Sequence, residues 1–315
     1  MQELRIVFMG TPDFAVGILD AIVQSALKVV GVVTAPDRPA GRGRKLNESA
    51  VKKYAQEKGL PVLQPTNLKN EDFLKDLKAM NANLQVVVAF RMLPKAVWQM
   101  PKFGTFNLHA SLLPQYRGAA PINWAIINGE TRTGVTTFFI DEKIDTGAII
   151  LQKETEIHPN EDAGSLHDRL MLLGADAVLE TLDRIAHGNL NSVIQENPAN
   201  LKVAHKIHRD TCKIDWNLPM DEIYNMIRGL SPYPAAWSTL TNDGEEMDIK
   251  IYKVAKEMKE HDEKIGSLIF DRKELKVAVT KGFLHLLEVQ LQGKRKMKVA
   301  DLLNGLNLSK NAKIG

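Results

Sequence analysis

Short, strongly apolar runs alternate with helix-spaced segments through the first 190 residues, and this rhythm constrains the fold more than any other feature. Leu4 to Met9 ends at Gly10 and leads into apolar residues at Phe14, Ile18 and Ile22, which predicts strand, turn and helix. Val29 to Thr34, Leu84 to Phe90 and Phe103 to His109 read as further buried strands, and Ser49 to Lys58 reads as a helix. Val135 to Asp141 and Ala148 to Gln152 bracket a short turn and predict a hairpin. Leu166 to His187 is a long amphipathic helix with Gly188 as its stop. Strands that read as continuous apolar runs between helices imply an α/β domain with a mostly parallel, Rossmann-like sheet.

The rhythm changes near Asn197-Pro198. A helix over Met220 to Arg228 is followed by five short strand signals, at 236–241, 248–255, 266–270, 275–280 and 283–290, the spacing of a small OB-like β-barrel. The expected organisation is a catalytic domain at 1–200, a basic linker at 201–213 and a barrel at 214–315. Charge follows the same division. Residues 1–200 carry 21 Lys+Arg against 22 Asp+Glu, whereas residues 201–315 carry 20 against 16. A basic domain beside a neutral one suits a polyanion, although a solvated lysine-rich surface gives the same count. The single cysteine, Cys212, excludes a disulfide scaffold and a four-cysteine zinc site. His205, His208 and Cys212 have helical spacing but no nearby fourth ligand, so no metal is expected. The start has no signal-peptide pattern, and no apolar run has bilayer length; a cytoplasmic chain is expected.

Chemistry concentrates in Asn107-Leu108-His109-Ala110-Ser111-Leu112-Leu113-Pro114. Asn107 and His109 are two apart on a predicted strand and share a face. The turn signals Leu113-Pro114 and Arg117-Gly118 end that strand at the carboxyl edge of the sheet, where α/β folds bind ligands. An amide and an imidazole side by side suit acyl transfer: one donates to an oxyanion, the other moves protons. Asp145, at the tip of the predicted hairpin, supplies a carboxylate to orient the imidazole. By spacing alone, a polar turn and a core-edge histidine explain the same residues. Gly10-Thr11-Pro12 lacks the second and third glycines of a dinucleotide loop, so Gly10 reads as a tight turn with Pro12 in the first helical turn. Loop 36–46 carries Arg38, Arg42, Arg44 and Lys45 among glycines and prolines, a composition that fits RNA contact or a flexible polar loop.

Asn107-x-His109, Ser111-Leu112-Leu113-Pro114-x-Tyr116-Arg117-Gly118 and Asp145-Thr146-Gly147 together resemble the folate-dependent formyltransferases. The likeness runs from about residue 4 to about residue 305. Pro36 to Leu46, Ile214-Asp215-Trp216 and Leu291 to Met297 make the chain similar to members that act on charged initiator tRNA. The resemblance implies Asn107, His109 and Asp145 as the catalytic trio, with 10-formyltetrahydrofolate as donor and no metal. It implies Ser111, Leu112, Leu113 and Pro114 as folate-binding, and Arg91, Met92 and Leu93 as the backbone beside the pterin. Arg38, Arg42, Arg44 and Lys45 become tRNA contacts. The implied partners are initiator methionyl-tRNA and a folate, with no membrane and a monomeric chain. Family members acting on a sugar-nucleotide amine or a small ribonucleotide amine share the catalytic segment. A non-catalytic RNA-binding module is the other alternative, which the intact trio disfavours. Two positions depart from the family pattern: Arg91 and Ala235 stand where glycine is common.

Overall fold

The computed structural model describes residues 2–25, 27–40 and 45–315, leaving the side chains of Pro39, Ala40 and Lys45 aside. The chain divides into two compact units. The first comprises residues 1–118, 132–156 and 167–203, and the second comprises 119–131, 157–166 and 204–315.

The first unit holds strands β1 (Arg5–Gly10), β2 (Lys28–Val33), β3 (Arg38–Ala40), β4 (Lys45–Asn47), β5 (Val62–Leu63), β6 (Leu84–Val88), β7 (Thr105–His109), β8 (Arg117–Gly118), β9 (Arg132–Phe139) and β10 (Ile149–Glu156). Its main sheet runs β10-β9-β7-β6-β1-β2-β5. The β7–β6, β6–β1, β1–β2 and β2–β5 pairs are parallel, and β9 pairs antiparallel with both β7 and β10. All of β6 and nearly all of β1 are buried, as expected for strands covered on both faces. The α/β and mostly parallel character read from the sequence is therefore borne out. The chain leaves β1 toward β2 and β5, then returns to β6 on the other side, so the topological switch lies at the carboxyl ends of β1 and β6. β7, the next strand over, ends at His109.

Helix α1 (Asp13–Gln24) begins directly after β1, with Pro12 as its N-cap rather than inside its first turn. A Cβ on Gly10 would meet that of Ala15 at 2.6 Å, so close packing of strand on helix requires glycine here. α2 (Ala50–Glu57) is capped by Ser49, whose hydroxyl accepts from the Lys52 N–H. The sequence reading missed α3 (Glu71–Ala79), which buries only Phe73 and Leu77, and α4 (Lys95–Trp98), which is a single turn. It also placed the hairpin β3–β4 in a turn-rich stretch. The arms of that hairpin pair from Arg38–Asn47 to Ala40–Lys45. Its base is anchored: Asp37 takes the Lys52 ammonium and the Gln64 amide, and those bonds hold its carboxyl below the ordinary carboxylate range. Arg42 and Arg44 lie outside the described residues.

The second unit contains α5 (Pro121–Ile127), the start of α6 (Ala163–His187), α7 (Met220–Leu230) and α8 (Val299–Leu303). Strand β11 (Val203–Ala204) comes at its edge. Strands β12 (Ala236–Asn242), β13 (Glu245–Met258), β14 (Leu268–Phe270), β15 (Leu275–Val279), β16 (Gly282–Leu291), β17 (Met297–Lys298) and β18 (Lys313–Ile314) follow. The antiparallel order is β14-β15-β16-β13-β12-β18, and a bridge from Ser267 to Lys313 brings its two ends together into a nearly closed barrel. Ile223, Ile227, Leu230, Ile249, Ile251, Val277, Leu284 and Val289 fill the core. α5 packs on α7, where the Asn123 amide donates to the Gly229 carbonyl at 2.8 Å and Ile127 joins the barrel core. Ala235, the position where glycine is common, has φ +74°.

Candidate active site

β7 delivers Asn107 and His109 to the carboxyl edge of the main sheet, and its last residue, His109, is 7% exposed. The ring Nε2 donates to the Tyr116 carbonyl at 2.8 Å. The other ring nitrogen, Nδ1, faces Asp145 Oδ2 at 3.8 Å. This separation exceeds a hydrogen bond and suits an ion pair once Nδ1 takes a proton, or a single bridging water. The Oδ2 atom is itself held by the Gly118 N–H at 2.9 Å. Asn107 Oδ1 is buried and has no hydrogen-bond partner among the described residues. A buried acceptor oxygen left without a donor is costly, and this one stands at the edge where α/β sheets bind ligands.

Asp145 sits in a tightly determined turn between β9 and β10. Thr146 donates its hydroxyl to Asp141 at 2.8 Å, and the same carboxylate accepts the Lys143 N–H at 3.0 Å. Asp145 has φ +55°, in the left-handed region that L-residues other than Asn and Asp seldom adopt. Gly147 follows because nothing larger fits: a Cβ there would lie 1.6 Å from the Phe139 carbonyl oxygen. The Asp-Thr-Gly run is thus one carboxylate, one hydroxyl that pins the turn and one residue without a side chain.

The segment Ser111 to Pro114 is anchored from β9 and β10. Thr136, fully buried, donates its hydroxyl to the Ser111 carbonyl at 2.6 Å and accepts the Leu113 N–H at 3.1 Å. Gln152 donates to the Leu113 carbonyl at 2.8 Å. Ser111 donates across the turn to the Gln115 carbonyl at 2.7 Å, and Leu113 is buried. Arg91, Met92 and Leu93 lie past the end of β6. The Arg91 guanidinium donates to the carbonyls of Pro65 and Thr66, and burial, then the nearby Arg38 charge, lowers its pKa. With Thr66, Asn67, Leu68, Lys69 and Pro94, these residues line a groove of about 460 Å³, in which Leu93 is buried and Met92 is 68% exposed. Lys95 reaches Glu142 of the Asp145 turn at 2.9 Å.

Sequence reasoning missed Thr136, Gln152 and Gln195. Thr136 carried a faint signal, a polar residue inside the apolar strand Val135 to Phe139; the two glutamines carried none. Among the described residues no cluster of three or more His, Cys, Asp or Glu side chains suits a metal, and no helix is long and apolar enough to cross a membrane. Cys212 is buried and its thiol donates to the His208 carbonyl at 3.2 Å.

Comparison with known proteins adds independent findings. The model of the formyl transferase family matches residues 4–182, and that of the formyl transferase C-terminal domain matches residues 206–307. The methionyl-tRNA formyltransferase of Flavobacterium psychrophilum is 62% identical over 315 residues, 100% of both chains. That of Bacteroides fragilis is 52% identical over 318 residues, covering 99% of this chain and 98% of its own. Among solved structures, the sugar 3N-formyl transferase WlaRD superposes with a TM-score of 0.65 at 20% identity, over 94% of this chain and all of that one. HypX from Aquifex aeolicus, in complex with tetrahydrofolic acid, gives 0.64 at 16% identity, over 96% of this chain and 47% of its own. At those identities the likeness extends to the fold alone.

Proposed function

We infer the reaction from the fact that this chain belongs to the formyl transferase family: it transfers a formyl group from 10-formyltetrahydrofolate to the amino group of methionine carried on initiator tRNA. The observation that carries this reading is full-length identity of 52–62% to methionyl-tRNA formyltransferases. The half-buried Asn107 shares the carboxyl edge of β7 with the His109–Asp145 pair, and its buried Oδ1 has no partner among the described residues, which fits a site that receives a reactant.

In the proposed mechanism the neutral α-amine attacks the formyl carbon. An α-amine has a pKa near about 8, so a useful fraction is unprotonated at neutral pH and little general-base strength is needed. The carbonyl oxygen becomes an oxyanion as the new N–C bond forms. The Asn107 amide and the protonated His109 ring stabilise it, and Asp145 balances the imidazolium charge at Nδ1. One proton leaves the attacking nitrogen and one reaches the departing folate nitrogen as its bond to carbon breaks, through a water at Asp145. The products are formylmethionyl-tRNA and tetrahydrofolate. Ser111 to Pro114 and Arg91 to Leu93 form the walls that seat the folate. Arg38, Arg42, Arg44 and Lys45, with the basic second unit, contact tRNA. A monomeric chain working in the cytoplasm completes the proposal.

The test is direct. Purified protein is supplied with 10-formyltetrahydrofolate and, separately, with charged initiator tRNA, a sugar-nucleotide amine and a small ribonucleotide amine. Formylation of the tRNA alone is expected; formylation of a small amine in its place overturns the reading.

A further inference from the structure

The segment that follows α6 carries one side chain with an unusually complete set of bonds. Val193 pairs with Ile149 of β10 through two backbone hydrogen bonds of 2.8 Å, which docks this segment beside the β9–β10 turn. Two residues on, Gln195 is 8% exposed. Its Nε2 donates to the Asp145 carbonyl at 3.0 Å and to the Gly147 carbonyl at 2.8 Å. Its Oε1 accepts from Arg117 twice, from Nε at 3.2 Å and from Nη2 at 2.7 Å. A third Arg117 nitrogen, Nη1, donates to Asn197 at 2.8 Å. Both amide hydrogens and both acceptor positions of the glutamine are therefore used, and its orientation has no freedom.

These bonds converge on Asp145 by two routes. The amide grips the carbonyls on either side of Thr146, so it holds the peptide frame of a residue at φ +55°. The Arg117 that Gln195 holds is followed by Gly118, whose N–H binds the Asp145 carboxylate. One side chain thereby fixes both the backbone of Asp145 and the donor that aims its oxygen at His109. We propose that Gln195 is a positioning residue for Asp145, which sets the His109–Asp145 separation without touching a reactant. The proposal rests on Asp145 acting through His109 in the formyl transfer.

Gln195→Leu keeps the side-chain size and removes all four bonds. Misplacing a catalytic group by about 1 Å costs up to roughly a hundredfold in rate. The expected result is a kcat for tRNA formylation ten- to a hundredfold below the parent, with KM for donor and tRNA within about threefold. If the leucine variant does not fold, Gln195→Glu serves: it keeps an acceptor for Arg117, loses both donors and turns a carboxylate on the two carbonyls. The same kcat loss is expected with an unchanged circular-dichroism spectrum. The decisive measurement repeats the substitution in an Asp145→Asn background, where a residue acting through Asp145 costs less than about threefold more. Equal losses in both backgrounds, or a parent-like kcat with only a lowered Tm, overturn the proposal. A parent protein that formylates no tRNA would instead remove the functional reading beneath it.

Discussion

Replacing Gly147 by alanine tests the geometry of the Asp145 turn most sharply. The added Cβ would stand 1.6 Å from the Phe139 oxygen and 2.8 Å from its carbonyl carbon. Ordinary contact begins near 3.4 Å, so the turn or the end of β9 must move by about 2 Å. Backbone on both sides leaves no flexible side chain to yield. Two hydrogen bonds lie directly in the path: Phe139 N–H to Ala148 at 2.9 Å, and Gln195 to the Gly147 carbonyl at 2.8 Å. At about 1 kcal/mol net each, with residual strain, the expected destabilisation is roughly 2–3 kcal/mol. For a chain of this size that is a Tm lowered by about 5–10 °C. The effect on catalysis is larger, because Asp145 is two residues away: a displacement above about 1 Å predicts a kcat loss of at least a hundredfold. Steady-state formylation of charged initiator tRNA at saturating donor, run well below the variant's Tm, separates the two effects. A kcat within threefold of the parent, or one that falls only as the folded fraction falls, would refute the reasoning.

Asp145→Asn keeps the acceptor for Gly118 but removes the charge that balances a protonated His109; kcat is expected to drop by about 3 kcal/mol of barrier, roughly a hundredfold, in the same assay. Arg42→Ala is expected to leave the Tm unchanged and lower kcat/KM for tRNA about tenfold, with Arg42→Lys restoring only part because an ammonium lacks the planar fork. Asp37→Asn loosens the base of the β3–β4 hairpin, and a several-fold rise in KM for tRNA with unchanged KM for donor is expected. Because Asp37 has a lowered folded pKa, its stabilising contribution is full above its unfolded pKa and is lost as pH falls through the folded value; the acid limb of a Tm-against-pH curve should flatten in Asp37→Asn. Changing the exposed Lys294, Arg295 and Lys298 to alanine is expected to weaken tRNA binding and to reduce the slope of log affinity against log salt by about 2. An unchanged slope removes these residues from the phosphate contacts.

Much of this fold is legible because parallel strands buried on both faces write themselves as nearly continuous apolar runs, as Leu84 to Val88 does with Gln85 its one polar residue. Period-two spacing likewise set Asn107 and His109 on one face before any coordinates were needed. Elements stabilised by few residues left weaker traces. α3 buries only Phe73 and Leu77, and the β3–β4 arms carry no apolar alternation. The carboxylate of Asp145 was legible as chemistry but its geometry was not. The Gly118 bond spans 27 positions, the Gln195 bonds span about 50, and no local pattern encodes a contact at that distance. Gln195 lies in Val193-Ile194-Gln195-Glu196-Asn197, where a sequence offers no reason to separate one polar residue from the next. The two positions where glycine is common but absent here differ in kind. Arg91 spends its guanidinium on the carbonyls of Pro65 and Thr66, whereas Ala235 simply adopts the left-handed conformation.

The interleaving of the two units has a consequence for synthesis. α5 leaves the ribosome early, yet α7, the helix it packs on, lies about 100 residues further along, a delay of roughly 5–20 s at ordinary elongation rates. Throughout that interval Asn123 and Ile127, which meet Gly229 and the barrel core in the finished protein, have no partner to meet. A stop placed near residue 205 would make that lack permanent, so a truncated chain retains an orphaned helix and is prone to aggregate. Nascent chains arrested between residues 131 and 220 should accordingly recruit a holdase chaperone through 119–131, and release it only once α7 has emerged.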